Sequence, residues 1–306
     1  MMISVLLAAG VAAAPMEVPG PNGPLQGTFV DAGKGAPVAV IVPGSGPTDR
    51  NGNNPMGVTA APYRLLAEAL AAKGISTVRI DKRGMFGSKG AIPDANKVTI
   101  ADYAADARAW AKAAAAKAGT KCAWLIGHSE GGLIALTAGQ QRDGICGVVA
   151  LAAPGRKLGV VIREQLKANP ANAPLLEPAE KALIELEAGR MVDATTLPAP
   201  LAPLFNASVQ PFVIDLLAKD PAALAASLSV PLLIVQPGAD LQVSISNAQA
   251  LVAAQPKAKL VVVPGVNHVL KAASATDRAA NMATYADPSL PVAPAVVDAI
   301  AGFVKA

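Results

Sequence analysis

The stretch Ala123-Trp124-Leu125-Ile126-Gly127-His128-Ser129-Glu130-Gly131-Gly132 restricts what this chain can fold into more than any other part of it. An apolar run of strand type ends at a glycine, a polar triplet and two more glycines follow, and a helical pattern begins at Leu133. A strand, a turn of the form G-x-S-x-G and a helix put Ser129 on a sharp bend at the end of a buried parallel strand. A Cβ at Gly127 or Gly131 would collide with neighbouring chain there. The strain lifts the serine Oγ clear of the sheet edge, and the backbone N–H of Glu130 points toward bound substrate. G-x-S-x-G also occurs by chance, so the reading leans on what surrounds it.

The surroundings alternate strand and helix. Residues 25–30 and 38–42 read as strands joined by a Gly-rich turn, and 38–42 runs into Pro43-Gly44-Ser45-Gly46-Pro47-Thr48-Asp49-Arg50-Asn51-Gly52-Asn53. Such a loop either exposes backbone N–H groups to a ligand or simply connects two elements; a phosphate loop of the G-x-x-x-x-G-K-[ST] type is absent. A helix over 63–73 stops at Gly74, and a strand over 75–80 exits into Asp81-Lys82-Arg83-Gly84-Met85-Phe86-Gly87-Ser88. A long Ala-rich helix follows over 99–117, capped by Thr99 and ended near Gly119. Strands are expected at 122–126, 145–152, 231–236 and 260–263, with helices over 133–141, 246–254 and 295–304. This spacing predicts βαβ units and a mostly parallel sheet flanked by helices, an α/β fold.

Between 156 and 228 the rhythm breaks. Helical stretches over 160–167, 178–187 and 209–218 are separated by Pro-rich links with no clear strand. The expectation is an inserted helical lid, with Phe205 and Phe212 in an apolar wall; a helical layer packed on the sheet is the alternative. The core domain is then 15–155 with 229–306.

Of the 306 residues, 52% are hydrophobic and 16% charged, enough for one large domain with a sizeable core. The net charge is +4, yet Lys and Arg are scattered singly, whereas a surface that tracks phosphates would concentrate them. Nucleic acid is therefore not an expected partner. Residues 1–14 are apolar and end in small residues of the A-x-A type, too short to span a membrane as a helix but of signal-peptide form. No basic residue precedes the apolar part. Export to the periplasm or beyond is expected, with cleavage near Ala13 or Ala14; a buried first strand in a cytoplasmic protein is the other reading. No other stretch approaches the length of a membrane helix. Cys122 and Cys146 each open a strand-like run on neighbouring strands, so they form either a disulfide or two buried thiols.

Ligand sites in open parallel sheets lie beyond the carboxyl ends of the strands. Ser45, Ser129, Asp240 and His268 all fall just past a predicted strand, and the order Ser, Asp, His suits nucleophile, orienter and base. The chain has two histidines. His128 adjoins Ser129 in the turn, where its ring should point away from the Oγ, which leaves His268 as the base. Asp49 and Arg50 either pair to brace their loop or solvate it, Lys82 and Arg83 either line the pocket mouth or, as the better expectation, lie at the solvated surface, and Trp110 and Trp124 are expected in the core.

On these stretches the chain resembles the serine esterases of the α/β-hydrolase superfamily, in particular bacterial esterases with a Gly-Ser-Gly-Pro-x-Asp-Arg loop after the third strand. The matching stretches are 43–53, 81–88, 127–132, 236–243 and 267–271, spread over nearly the whole mature chain. The resemblance implies Ser129 as nucleophile, His268 as base, Asp240 as orienter, and the N–H groups of Ser45 and Glu130 as the oxyanion hole. It implies a small-molecule ester of short to medium chain as substrate and no metal or organic cofactor. Two departures stand out: Met85-Phe86 lengthens the R-G-x-G-x-S turn by one residue, which bears on the pocket floor, and Pro237 precedes Gly238. A peptidase or thioesterase with the same residues is an alternative, although no cluster to hold a peptide terminus is visible. A non-catalytic binding protein on the same fold is a third.

Overall fold

The computed structural model describes residues 13–306, so most of the expected leader lies outside the described residues. Among the described residues eight strands form one sheet: β1 (Ala13–Val18), β2 (Leu25–Val30), β3 (Val38–Val42), β4 (Ser76–Ile80), β5 (Ala123–His128), β6 (Ile145–Leu151), β7 (Leu232–Pro237) and β8 (Lys259–Val263). Their spatial order is β1-β2-β4-β3-β5-β6-β7-β8. The β1–β2 and β2–β4 pairs are antiparallel and every later pair is parallel. This is the α/β fold expected from the rhythm of the sequence, in the α/β-hydrolase arrangement that the resemblance implies. The strand at 13–18 is an exposed edge strand, and the reading of residues 1–14 as leader or buried strand falls almost wholly outside the described residues. Among the described residues the pairing of β1 with β2 runs from Ala13 to Val18.

The central strands β3 and β4 are buried at every position because helices cover both faces of the sheet. The helices are α1 (Pro62–Ala72), α2 (Ile100–Ala118), α3 (Glu130–Ala138), α4 (Leu158–Lys167), α5 (Leu176–Glu187), α6 (Ala202–Phe205), α7 (Gln210–Leu217), α8 (Pro221–Ala226), α9 (Ile245–Ala254), α10 (Arg278–Ala283) and α11 (Pro294–Val304). α1 and α11 pack on one face around Leu66, Leu70, Val296 and Ile300. α2, α3 and α9 pack on the other, around Trp110, Ile134 and Leu251. α2 ends where its residues say it should. The Thr99 side chain and Asp102 form a reciprocal capping box, and Gly119 closes the helix at φ 73°.

The segment between β6 and β7 carries its own apolar cluster, built on Ile162, Leu183, Leu186, Phe205 and Leu217. Phe205 is 0% exposed and sealed inside that cluster by α4, α5 and α7, so it forms no wall. Phe212 does face the sheet layer, its ring edge-on to Tyr103 at 6.0 Å. α8 packs on α3 and α9, so the last part of 156–228 belongs to the layer over the sheet. Arg163 of α4 clamps α5 through Glu180 (2.8 Å) and Glu187 (2.6 Å).

Cys122 and Cys146 form a disulfide with Cα atoms 5.2 Å apart, which resolves the choice between a bridge and two thiols. It ties the starts of β5 and β6, at the opposite end of β5 from Ser129. Among the described residues no helix is long and apolar enough to cross a membrane.

Candidate active site

The strand order reverses around β3, whose neighbours are β4 on one side and β5 on the other. The crevice beyond the carboxyl ends of β3 and β5 is where a doubly wound sheet opens to a ligand. The loop after β3 and the turn after β5 both end there.

Ser129 stands between β5 and α3 with φ 54° and ψ −126°, a conformation an L-residue adopts only when its surroundings impose it. Its N–H donates to the Leu151 carbonyl (3.0 Å) and its carbonyl accepts from Gly132 (2.8 Å). The glycines behave as their spacing predicts. A Cβ on Gly127 would run into the Gly131 carbonyl, and one on Gly131 into the Val42 carbonyl. α3 begins at Glu130 rather than Leu133, because the glycines that look like turn material already lie in its first turn. A Cβ at Gly44 would sit 3.2 Å from the Ser129 Cβ, so the loop after β3 lies directly against the turn. Among the described residues, neither the Ser45 nor the Glu130 N–H donates to a protein acceptor.

His268 follows β8, and its Nδ1 is 2.8 Å from Asp240 Oδ2. The Asp240 carboxylate is 1% exposed and its other oxygen accepts the N–H groups of Gln242 (2.8 Å) and Val243 (2.9 Å). A carboxylate oxygen only accepts, so Nδ1 carries the proton and Nε2 keeps its lone pair. Sequence reasoning missed what joins these two loops. Asn267 donates to Asn281 Oδ1 (3.1 Å) and Thr284 (2.6 Å), and Asn281 donates to the Ala239 carbonyl (2.9 Å). The position of Asn267 next to His268 was the available signal.

His128 ties His268 to the rest of the site. Its Nε2 is 2.9 Å from the His268 carbonyl, and its Nδ1 is 2.8 Å from the Tyr63 hydroxyl, which also accepts the Gly44 N–H at 3.0 Å. A carbonyl cannot donate, so Nε2–H must, and Nδ1 of the neutral ring accepts from Tyr63. Burial holds the Tyr63 phenol protonated, well above its usual range. One directed chain thus runs from the β3 loop through Tyr63 and His128 to the backbone of His268. The two imidazole centroids are 4.6 Å apart. Ser129 and His268 therefore lie at the same end of the sheet, and the serine hydroxyl makes no hydrogen bond to the imidazole. Such bonds are commonly loose before a substrate is bound.

Burial, reinforced by the charge of a protonated His268, lowers the His128 pKa from 6.5 to about 3. Above the unfolded value both states are neutral. As pH falls below it, the unfolded chain takes up a proton that the folded chain refuses, so stability is lost until the folded ring protonates. The wild type is expected to lose about 2 kcal/mol more than His128→Gln between pH 6.5 and about pH 4.5. Urea denaturation of both proteins at the two pH values measures the difference.

The charged residues of the site differ from expectation. Asp49 does not pair with Arg50. Instead it accepts the N–H groups of Asn51 and Asn53 (both 2.8 Å), while Arg50 binds Asp81 (2.5 Å) beyond β4. Lys82 and Arg83 are buried rather than solvated. Arg83 pairs with Asp106 (2.6 Å) and Asp102 (3.2 Å) on α2, and Lys82 with Glu130 (3.1 Å). Phe86 is 45% exposed, so the longer turn places its ring at the surface, not in a pocket floor. Among the described residues no group of three or more His, Cys, Asp and Glu side chains could hold a metal ion.

Comparison with known proteins agrees with the geometry. The model of the Alpha/beta hydrolase family matches residues 39–283. Esterase EstD of Thermotoga maritima is 28% identical over 245 residues, which is 76% of this chain and 54% of that protein. The chain thus spans about half the length of the curated relative it matches. Among solved structures, a Pyrococcus furiosus esterase superposes with a TM-score of 0.57 at 18% identity, covering 85% of this chain and 84% of that one. A thermophilic esterase from Thermogutta terrifontis gives 0.56 at 18% identity, covering 96% and 98%. At such identities these two show a shared fold.

Proposed function

Because the chain belongs to the Alpha/beta hydrolase family, we propose that it is a serine esterase acting on short- to medium-chain carboxylic esters through an acyl-enzyme on Ser129. The observation that carries the reading is the buried Asp240–His268 pair, at 2.8 Å, on the rim that also holds the strained Ser129. The likeness to Esterase EstD supports the ester as substrate.

In this mechanism the His268 Nε2 accepts the Ser129 proton as Oγ attacks the ester carbonyl, and Asp240 stabilises the imidazolium that forms. The tetrahedral oxyanion accepts from the N–H groups of Ser45 and Glu130, each worth about 3 kcal/mol. His268 then protonates the leaving alcohol, and water repeats the sequence on the acyl-enzyme, releasing the acid. No metal or organic cofactor enters. Residues 156–228 act as a cap over the site, a role supported by the Gln165 side chain reaching the Gln242 carbonyl (2.9 Å) beside Asp240. The disulfide supports export, since such bonds persist in oxidising compartments.

Turnover of p-nitrophenyl esters is expected to be greatest for short and medium acyl chains and to fall for long ones. A peptide and a thioester of matching size should be cleaved more slowly. Faster cleavage of either would replace the esterase reading with a peptidase or thioesterase using the same residues.

A further inference from the structure

Lys82 has no place in the mechanism above, yet it occupies the interior of the site. It stands two residues past the end of β4, next to β3 in the sheet. Its side chain is 2% exposed and that of its partner Glu130 is 4% exposed. The ammonium donates to the Gly44 carbonyl at 2.7 Å and to Glu130 Oε1 at 3.1 Å. It lies 5.2 Å from the centre of the Tyr103 ring.

A buried ion pair loses much of its attraction to desolvation, and an apolar pair of the same volume is often at least as stable. Stability alone therefore gives a weak reason for this one. Its two contacts give a better one. The Gly44 carbonyl and the Ser45 N–H belong to the same planar trans peptide and point in opposite directions. Holding the carbonyl fixes the direction of the N–H, and a positive charge at the oxygen makes that N–H a stronger donor. The preceding peptide is held as well, since the Gly44 N–H donates to Tyr63. Glu130 carries the second N–H, and its carboxylate would repel an oxyanion forming beside its own backbone. The ammonium neutralises it.

We propose that Lys82 is a positioning residue for the oxyanion hole: it aims and polarises the Ser45 peptide and cancels the charge of Glu130. This rests on the reading of Ser45 and Glu130 as oxyanion donors in ester hydrolysis. The residue acts only where negative charge develops on the substrate oxygen, so its removal lowers kcat and leaves KM nearly unchanged.

The test is the double variant Lys82→Met with Glu130→Gln, which conserves volume and leaves no orphan charge. Its melting temperature should equal or exceed that of the wild type. Its kcat should fall by about 10- to 100-fold, less than or equal to the loss of a whole donor. Affinity for a trifluoromethyl ketone, which forms a tetrahedral adduct on the serine, should fall by the same factor. Lys82→Gln with Glu130→Gln keeps a donor for the Gly44 carbonyl without either charge, so its kcat should lie in between, and it carries the test if the variant with methionine does not fold. A kcat and ketone affinity within twofold of wild type in a folded variant overturn the proposal. So does a loss of kcat with unchanged ketone affinity. Failure of the esterase reading itself would show separately, as a wild type that neither hydrolyses esters nor binds the ketone.

Discussion

Replacing Ser129 by alanine is expected to lower ester hydrolysis by at least about 10⁴-fold and to leave stability unchanged, whereas glycine at the same position should be equally inactive and more stable. The two expectations have different origins. Activity is lost in both because neither residue has an Oγ to be acylated. Stability separates them because the backbone at φ 54° and ψ −126° costs any residue with a Cβ about 1–3 kcal/mol. Alanine keeps its Cβ and with it the strain. Glycine relieves the strain, gives back roughly 0.5–1 kcal/mol as extra freedom of the unfolded chain, and should gain about 1 kcal/mol net. Urea denaturation of the three proteins, beside turnover of one p-nitrophenyl ester, reads both effects. A glycine variant less stable than alanine would mean that the bend is not strained in solution.

Asp240→Asn is expected to lower kcat by about 10⁴-fold with little change in KM and no loss of fold. The asparagine oxygen can replace Oδ1 as acceptor of the Gln242 and Val243 N–H groups, so the loop keeps its shape. The amide group then faces His268 Nδ1 where the carboxylate oxygen stood. An amide N–H must donate, which obliges Nδ1 to accept and moves the ring proton to Nε2. That nitrogen can no longer take the Ser129 proton. Steady-state kinetics with a circular dichroism spectrum decide the matter. Near-normal turnover would mean that the tautomer of His268 is not set by Asp240.

How much of this was legible in the sequence depends on whether a feature is local. The turn at Ser129, the Thr99 cap and the stop at Gly119 are set by residues within a few positions of one another, and all stand where the sequence places them. That Ser45, Ser129, Asp240 and His268 each follow the carboxyl end of a strand was readable too, because strand ends can be placed from local pattern. Partner choice was not. Asp81, Lys82 and Arg83 are three charges in a row, which looks like a solvated loop. They are buried because β4 lies beside β3, which brings Arg50 to Asp81 and Gly44 to Lys82 across the sheet. Arg83 is covered by α2, from a distant stretch of chain. Phe205 gives the same lesson: helical periodicity says that one face is apolar, but not which neighbour covers it. In sequence His128 is a neighbour of Ser129 turned away from its Oγ and Tyr63 only the start of a helix, yet their hydrogen bonds link the Gly44 loop to the backbone of His268.

The central claim is that Ser129 is a nucleophile activated by His268 and oriented through Asp240. Labelling of the folded protein with a fluorophosphonate, followed by intact mass and peptide mapping, tests it most directly. One phosphonyl group per chain on the peptide that contains Ser129, absent from Ser129→Ala and strongly slowed in His268→Ala, is the predicted result. A folded, ester-hydrolysing protein that takes up no label, or takes it on another serine, would contradict the account.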